Sequence, residues 1–209
     1  MQPLLDVYRH AVRARAVAER LEVLARGGRI GFHPSAERAE VAIVAATLAL
    51  EAHDFVAPTP RDFPAMLARG VPVAAYVAHA VGSVRDRQLG HSAPGLFSSR
   101  EHGVLPPSQL VAQHLTQATG FAWAMRMKKA PGAVLAFLSE TAADAGDFHS
   151  AVNFAGVTKA PIVFLVRRGD VPAAPAPDVE VVDKAVAYGV TSAECGGGPS
   201  EIASAVSRA

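Results

Sequence analysis

The sequence predicts an α/β fold, an open parallel sheet with helices on both faces. Two wholly apolar runs, VLAFL at 134–138 and IVFLV at 162–166, have the length and composition of strands buried on both sides. Helical patterns precede, separate and follow them, the alternation that builds a parallel sheet. At 209 residues and 50% hydrophobic content, the chain can bury a substantial core. It reads as one domain over 1–209, with helices and a long loop in 1–106 and the sheet core in 107–209.

Taken in order, the first helix runs from Leu5 to Arg26. Leu5, Tyr8 and Val12 form an apolar stripe that Val17, Leu21 and Leu24 extend, and Gly27 and Gly28 end the helix. A second helix spans Glu37 to Ala52. After the proline-rich turn APTPRDFP (57–64), a third covers Ala65 to Val81. From Gly82 to Pro107 lies a polar loop long enough to suggest a functional or interface role. A helix from Ser108 to Lys128 leads into the strand at 134–138, followed by a helix at Gly146 to Gly156 and the strand at 162–166. The linker APAPD (174–178), a helix at Val181 to Tyr188, a strand VTSAEC (190–195) and a helix at Ser200 to Arg208 complete the expectation.

Composition excludes several classes. A formal net charge of +1, with basic residues scattered along the chain, gives nucleic acid no basic face to bind. The longest apolar stretch, VAIVAATLALEA, is too short to span a bilayer. The amino terminus carries charges where a signal peptide needs an apolar run, and one cysteine, Cys195, forms no internal disulfide framework. A cytoplasmic protein is expected, with Cys195 as a small buried apolar residue. The eight histidines show no zinc-site spacing; His91, His102 and His114 are the three near the expected cleft. Trp123 is expected in helix-packing core.

Ligands of open parallel sheets sit beyond the carboxyl ends of the strands. Those ends are Ser139-Glu140-Thr141 and Arg167-Arg168-Gly169-Asp170. Asp144 and Asp147 flank a helix start and read as caps. Glu140 precedes that helix and has no such role. No glycine-rich phosphate cradle accompanies it.

The residues at these positions resemble the alpha subunit of the thiamine-diphosphate-dependent 2-oxoacid dehydrogenases, the E1 component, and most closely its branched-chain type. SETAADAGDFHSAVNFA followed by PIVFLVRRGDV parallels the family's GDG or GEG segment, its NFA helix and its ENNGYA or RNNGYA strand end. EVAIVAATLAL, APTPRDFPAMLARG, RQLGHSAPGLFSSRE, QATGFAWAMRMK and VDKAVAYGV match further family segments in the same order. The resemblance implies a thiamine-diphosphate-binding fold, magnesium held at the strand mouths, and a beta-type subunit that completes the site. Carried across residue by residue, it implies cofactor contacts at Arg61, Gln109, Val111, Glu140, Thr141 and Arg167, and metal contacts at Glu140, Gly169, Asp170 and Val171.

Several positions depart from that pattern. Gly169 stands where the family has an asparagine ligand and offers no side-chain oxygen, while Asp170 lies one residue beyond. Ser139 and Thr141 replace two glycines, Pro60 replaces a tyrosine, and Gln109, Leu110 and Val111 replace the Ser, Pro and Leu beside the aminopyrimidine. Arg168 adds a positive charge, which opposes a dication. The sequence stops at Ala209, before the family's histidine-bearing loop.

Three readings stay open. An E1 alpha-like subunit with a weakened or lost thiamine diphosphate and magnesium site would act mainly as the structural partner of a beta-type subunit or in a homo-oligomer. A competent subunit would decarboxylate a branched 2-oxoacid and pass the acyl group to a lipoyl carrier. A metal-free anion binder would use Arg61, Arg167 and Arg168.

Overall fold

The computed structural model describes residues 2–31, 33–169 and 179–209. Helix α1 (Gln2–Arg26) ends as expected: Gly28 takes φ +68°, and the Arg29 N–H donates back to the Leu24 carbonyl at 2.8 Å. Its buried stripe is the expected one only in its second half, where Leu21 is buried and Val17 and Leu24 pack against the core. Val7, Ala11, Ala14, Ala18 and Leu21 face the core, whereas Leu5, Tyr8 and Val12 are exposed. Alanines on the inner face let a neighbouring helix approach closely, so the bulkier stripe is the one left outside.

That neighbour is α2 (Glu40–Leu48), shorter than expected because Arg38 adopts a left-handed φ of +72° just before it. Glu40 is buried and accepts from Arg15 of α1 at 2.5 Å. The single helix expected from Ala65 to Val81 is two, α3 (Phe63–Ala68) and α4 (Val73–Ala80). Gly70 at φ +92° and Pro72, which has no N–H to donate, break the ladder between them. Phe63 and Tyr76 stack across the break with ring centroids 5.3 Å apart.

The long loop folds onto this layer. His79 and Asp86, both buried, pair through Nδ1 and Oδ2 at 3.1 Å. Gln88 donates to the Ser98 carbonyl at 3.0 Å, and Ser99 and Val104 form an antiparallel bridge.

The sheet is parallel, in the order β1 (Phe55–Ala57), β2 (Val134–Ser139), β3 (Ile162–Arg167). Three residues give β1 no readable period, and it is recruited from the first half of the chain by its surroundings. Asp54 accepts the Ala133 N–H at 2.8 Å, and Arg69 donates to the carbonyls of Glu51, Ala52, Asp54 and His102 at 2.7–3.2 Å. Alternation along β2 then divides the core: Leu135 and Phe137 pack with α1, α2 and α3, while Val134, Ala136 and Leu138 pack with α5 (Gln113–Met127) and α6 (Gly146–Thr158). Both faces of the sheet carry helices, as expected.

Helices α7 (Val181–Ala187) and α8 (Pro199–Arg208) follow, and α8 returns to pack on α2 with Ile202 in the core. The strand expected at VTSAEC does not form. Residues 191–195 are exposed, and beyond Val190 the segment has too little apolar surface to be drawn into a sheet. Cys195, expected to be buried, is exposed on that segment. Trp123 is 39% exposed and meets Phe154 edge-to-face at 5.4 Å, so it covers α6 from a partly open surface. The linker expected at 174–178 lies outside the described residues.

Candidate functional site at the strand mouths

The register sets the site. Ser139 of β2 lies opposite Arg167 of β3, so the residues that follow each, Glu140 and Arg168, leave the sheet at one level. A 3-10 turn at Glu140–Asp144 takes the chain away from β2. A second 3-10 turn, Pro60–Asp62, follows β1. His114, in the first turn of α5, bonds through Nε2 to the Phe137 carbonyl at 2.8 Å, which brings the 108–112 segment to the same end. Sequence-derived site residues from four separate segments therefore converge.

Arg167 turns inward. Its guanidinium lies 2.8 Å from Asp62, whose side chain is fully buried, and 5.9 Å from the centre of the Phe137 ring. Asp62 also accepts from the backbone N–H and the hydroxyl of Thr59, at 2.8 and 2.6 Å. Thr59 and Asp62 form a capping box, a signal present in the sequence as Thr-Pro-Arg-Asp that the sequence reading passed over. Arg61, half-buried, donates to the Ser35 carbonyl at 3.0 Å.

Arg168 turns the other way, as strand alternation requires. Its Nε lies 3.2 Å from Glu140, and its Nη2 contacts both Glu180 and Glu194, the latter at 3.1 Å. No local pattern links positions 140, 180 and 194, so sequence reasoning had no route to this cluster. Beside it, Lys184 pairs with Asp144.

Thr141 is exposed, with its hydroxyl 3.0 Å from that of Ser139. Gln109, Leu110 and Val111 are also exposed, and Ala112 holds a left-handed φ of +61° as the chain enters α5. Gly169 has φ +74° and open space around a notional Cβ, so backbone conformation restricts the residue type there and crowding does not. Asp170 and Val171, the remaining expected metal contacts, lie outside the described residues.

Of the three histidines singled out, His91 is exposed and His102 bonds to the Ser99 hydroxyl at 2.8 Å. His102 also lines a shallow hollow of about 270 Å³ with Thr47, Leu48 and Arg69, close to the start of β1. His114 is buried. Burial lowers its pKa, against the opposing pull of the Phe137 carbonyl and Asp62. Its hydrogen bond to a carbonyl requires the proton on Nε2.

Among the described residues this donor set does not fit a magnesium ion. Magnesium needs near-octahedral oxygen ligands, and the one carboxylate at the mouth of β2 already faces a guanidinium. No cluster of three or more His, Cys, Asp or Glu residues suited to a metal occurs among the described residues.

Comparison with known proteins decides the kinship. The family described as "Dehydrogenase E1 component" matches residues 8–169. The chain belongs to this E1 family. Among similar proteins, the 2-oxoisovalerate dehydrogenase subunit alpha of Bacillus subtilis (strain 168) is 31% identical over 216 aligned positions, covering 100% of this chain and 66% of that protein. The pyruvate dehydrogenase E1 component subunit alpha of Bacillus cereus is 30% identical over 78% of this chain and 42% of its own length. A mitochondrial 2-oxoisovalerate dehydrogenase subunit alpha 1 of Arabidopsis thaliana is 30% identical over 68% of this chain and 30% of its own. The E1 chain thus spans two thirds or less of the length of these relatives.

Proposed function

We propose that this E1 alpha-like chain, of the branched-chain type, acts mainly as the structural partner of a beta-type subunit, with its own thiamine diphosphate and magnesium half-site weakened or lost. The observation that carries this reading is the Glu140 carboxylate facing Arg168 at 3.2 Å. A dication placed there must displace a cation already seated. Arg167, the expected diphosphate contact, is committed to Asp62, and Gly169 supplies no side-chain oxygen. These features support lapsed coenzyme chemistry, although Arg61 and Glu140 keep their family identities.

Partner binding is supported by surface chemistry. Leu4, Leu5, Tyr8 and Val12 form an exposed apolar stripe on α1; Trp123, Met127, Phe154 and Val157 are exposed on α5 and α6. Apolar faces of this kind favour association. Among the described residues no helix is long and apolar enough to cross a membrane. A cytoplasmic setting belongs to the same reading.

Calorimetric titration with thiamine diphosphate and MgCl₂ tests the reading, performed on the chain alone and with the beta-type subunit of a branched-chain complex. Complex formation on size exclusion without metal-dependent coenzyme binding is expected. Micromolar, magnesium-dependent binding would instead establish the competent subunit, which decarboxylates a branched 2-oxoacid.

A further inference from the structure

Three carboxylates from distant parts of the chain meet on one side chain. Glu140 leaves the end of β2, Glu180 immediately precedes α7, and Glu194 lies in the exposed segment between α7 and α8. All three contact the Arg168 guanidinium. Like charges brought this close repel unless a cation lies among them, and the one they share is Arg168. Its planar head offers five N–H donors in a fixed fork, enough to serve several carboxylates at once. Within the cluster, two negative charges are still left uncompensated.

We propose that Arg168 is an internal replacement for a divalent cation: it gathers Glu140, Glu180 and Glu194 at the strand mouth and thereby fastens the 179–198 segment to the sheet. The inference rests on the reading that the chain's own metal half-site has lapsed, and it adds what took the metal's place. Arg167 and Arg168 divide the work. Arg167 points into the core and holds the turn after β1, whereas Arg168 points outward and holds α7 and the segment beyond it. The two arginines at the end of β3 thus tie opposite flanks of the sheet without a bound ion.

Removing Arg168 should leave three carboxylates without their shared counter-charge. No group of three such side chains among the described residues is placed to hold a metal, so calcium should not stand in for the guanidinium. The test compares thermal unfolding and backbone amide exchange of the wild-type chain, Arg168→Met, and Arg168→Met/Glu140→Gln, each in chelator and in millimolar CaCl₂. The wild-type chain is expected to melt at the same temperature in both conditions. Arg168→Met should melt about 3 °C or more lower in both conditions, with faster amide exchange across 179–198. The added Glu140→Gln change removes one of the three uncompensated charges and should recover part of both losses.

The proposal is overturned if calcium raises the melting temperature of the wild-type chain, or if Arg168→Met is not destabilised. It is equally overturned if Arg168→Met leaves exchange across 179–198 unchanged, or if the added Glu140→Gln change lowers stability further. None of these results requires the wild-type chain to bind coenzyme. A failure here therefore leaves the proposed function standing, and coenzyme binding by the wild-type chain defeats that function by a separate measurement.

Discussion

Asp62 shows how a residue absent from any list of cofactor contacts can fix the ones that are on it. Its carboxylate holds the Thr59 hydroxyl and backbone N–H on one side and Arg167 on the other, with no exposure to solvent. Burying two charges gains little relative to an apolar pair, but removing one weakens the compensation of the other in a medium that solvates it poorly. Asp62→Asn keeps the acceptor for Thr59 and deletes the charge, so it isolates the ionic part. It is expected to lower unfolding stability by about 3 kcal/mol in a urea titration, and Arg167→Met in the same chain should recover part of that loss. A double-mutant cycle with no coupling would assign the stability to the turn alone. The capping-box pattern of Thr59 and Asp62 was legible in the sequence; the partner across the sheet was not, because register between β1 and β3 through β2 appears only in three dimensions.

Among the elements, those with a strong local signal were the ones read correctly. The strands β2 and β3 are unbroken apolar runs, and α6 carries its own helical pattern with a polar start. Elements whose existence depends on a neighbour were missed or misplaced: β1 is three residues long, and VTSAEC has too little apolar surface beyond Val190 to be drawn into the sheet. On α1 two apolar stripes competed, and small alanines won the core because α2 packs closely there. Helix α7 is a third case of dependence. It is held by Lys184 on Asp144 and the Ala143 carbonyl, by the Tyr188 hydroxyl on His149 at 2.9 Å, and by close approach of the Tyr188 carbonyl to Gly156. A methyl group at Gly156 would overlap that carbonyl, and neither backbone can yield without parting α6 from α7. Gly156→Ala should therefore cost about 1–3 kcal/mol and abolish amide-exchange protection in 184–190, while protection in β2 persists. Unchanged exchange in 184–190 would show that α7 is anchored elsewhere.

For the molecule as a whole, stability should depend on pH through groups that the fold keeps uncharged. Burial lowers the pKa of His33, which packs edge-to-face on Phe63 at 5.3 Å with Glu22 pulling the other way, and it lowers that of His114 beneath β2. In the unfolded chain both titrate near 6.5. Above that value neither state is protonated and their contribution is fully present; as pH falls from about 6.5 toward the lower folded values, the unfolded state gains protons that the folded state refuses. Stability must fall over that interval. Asp86 acts further down the scale: burial pushes its pKa up, but the Gln88 N–H and His79 outweigh that and leave it below the ordinary carboxylate value. Its contribution persists until the pH passes below about 3.9, where the unfolded carboxylate protonates first. The urea midpoint should therefore drop between pH 7.5 and 5.5, well above the carboxylate range, and drop again under strong acid as the tie between α4 and the long loop is lost. Replacing the two histidines, His33→Leu with His114→Gln to keep a donor for the Phe137 carbonyl, should flatten the first step and leave the second. If the first step keeps its full size in that double variant, the protons are taken up elsewhere and these two rings do not set the acid limit of this fold.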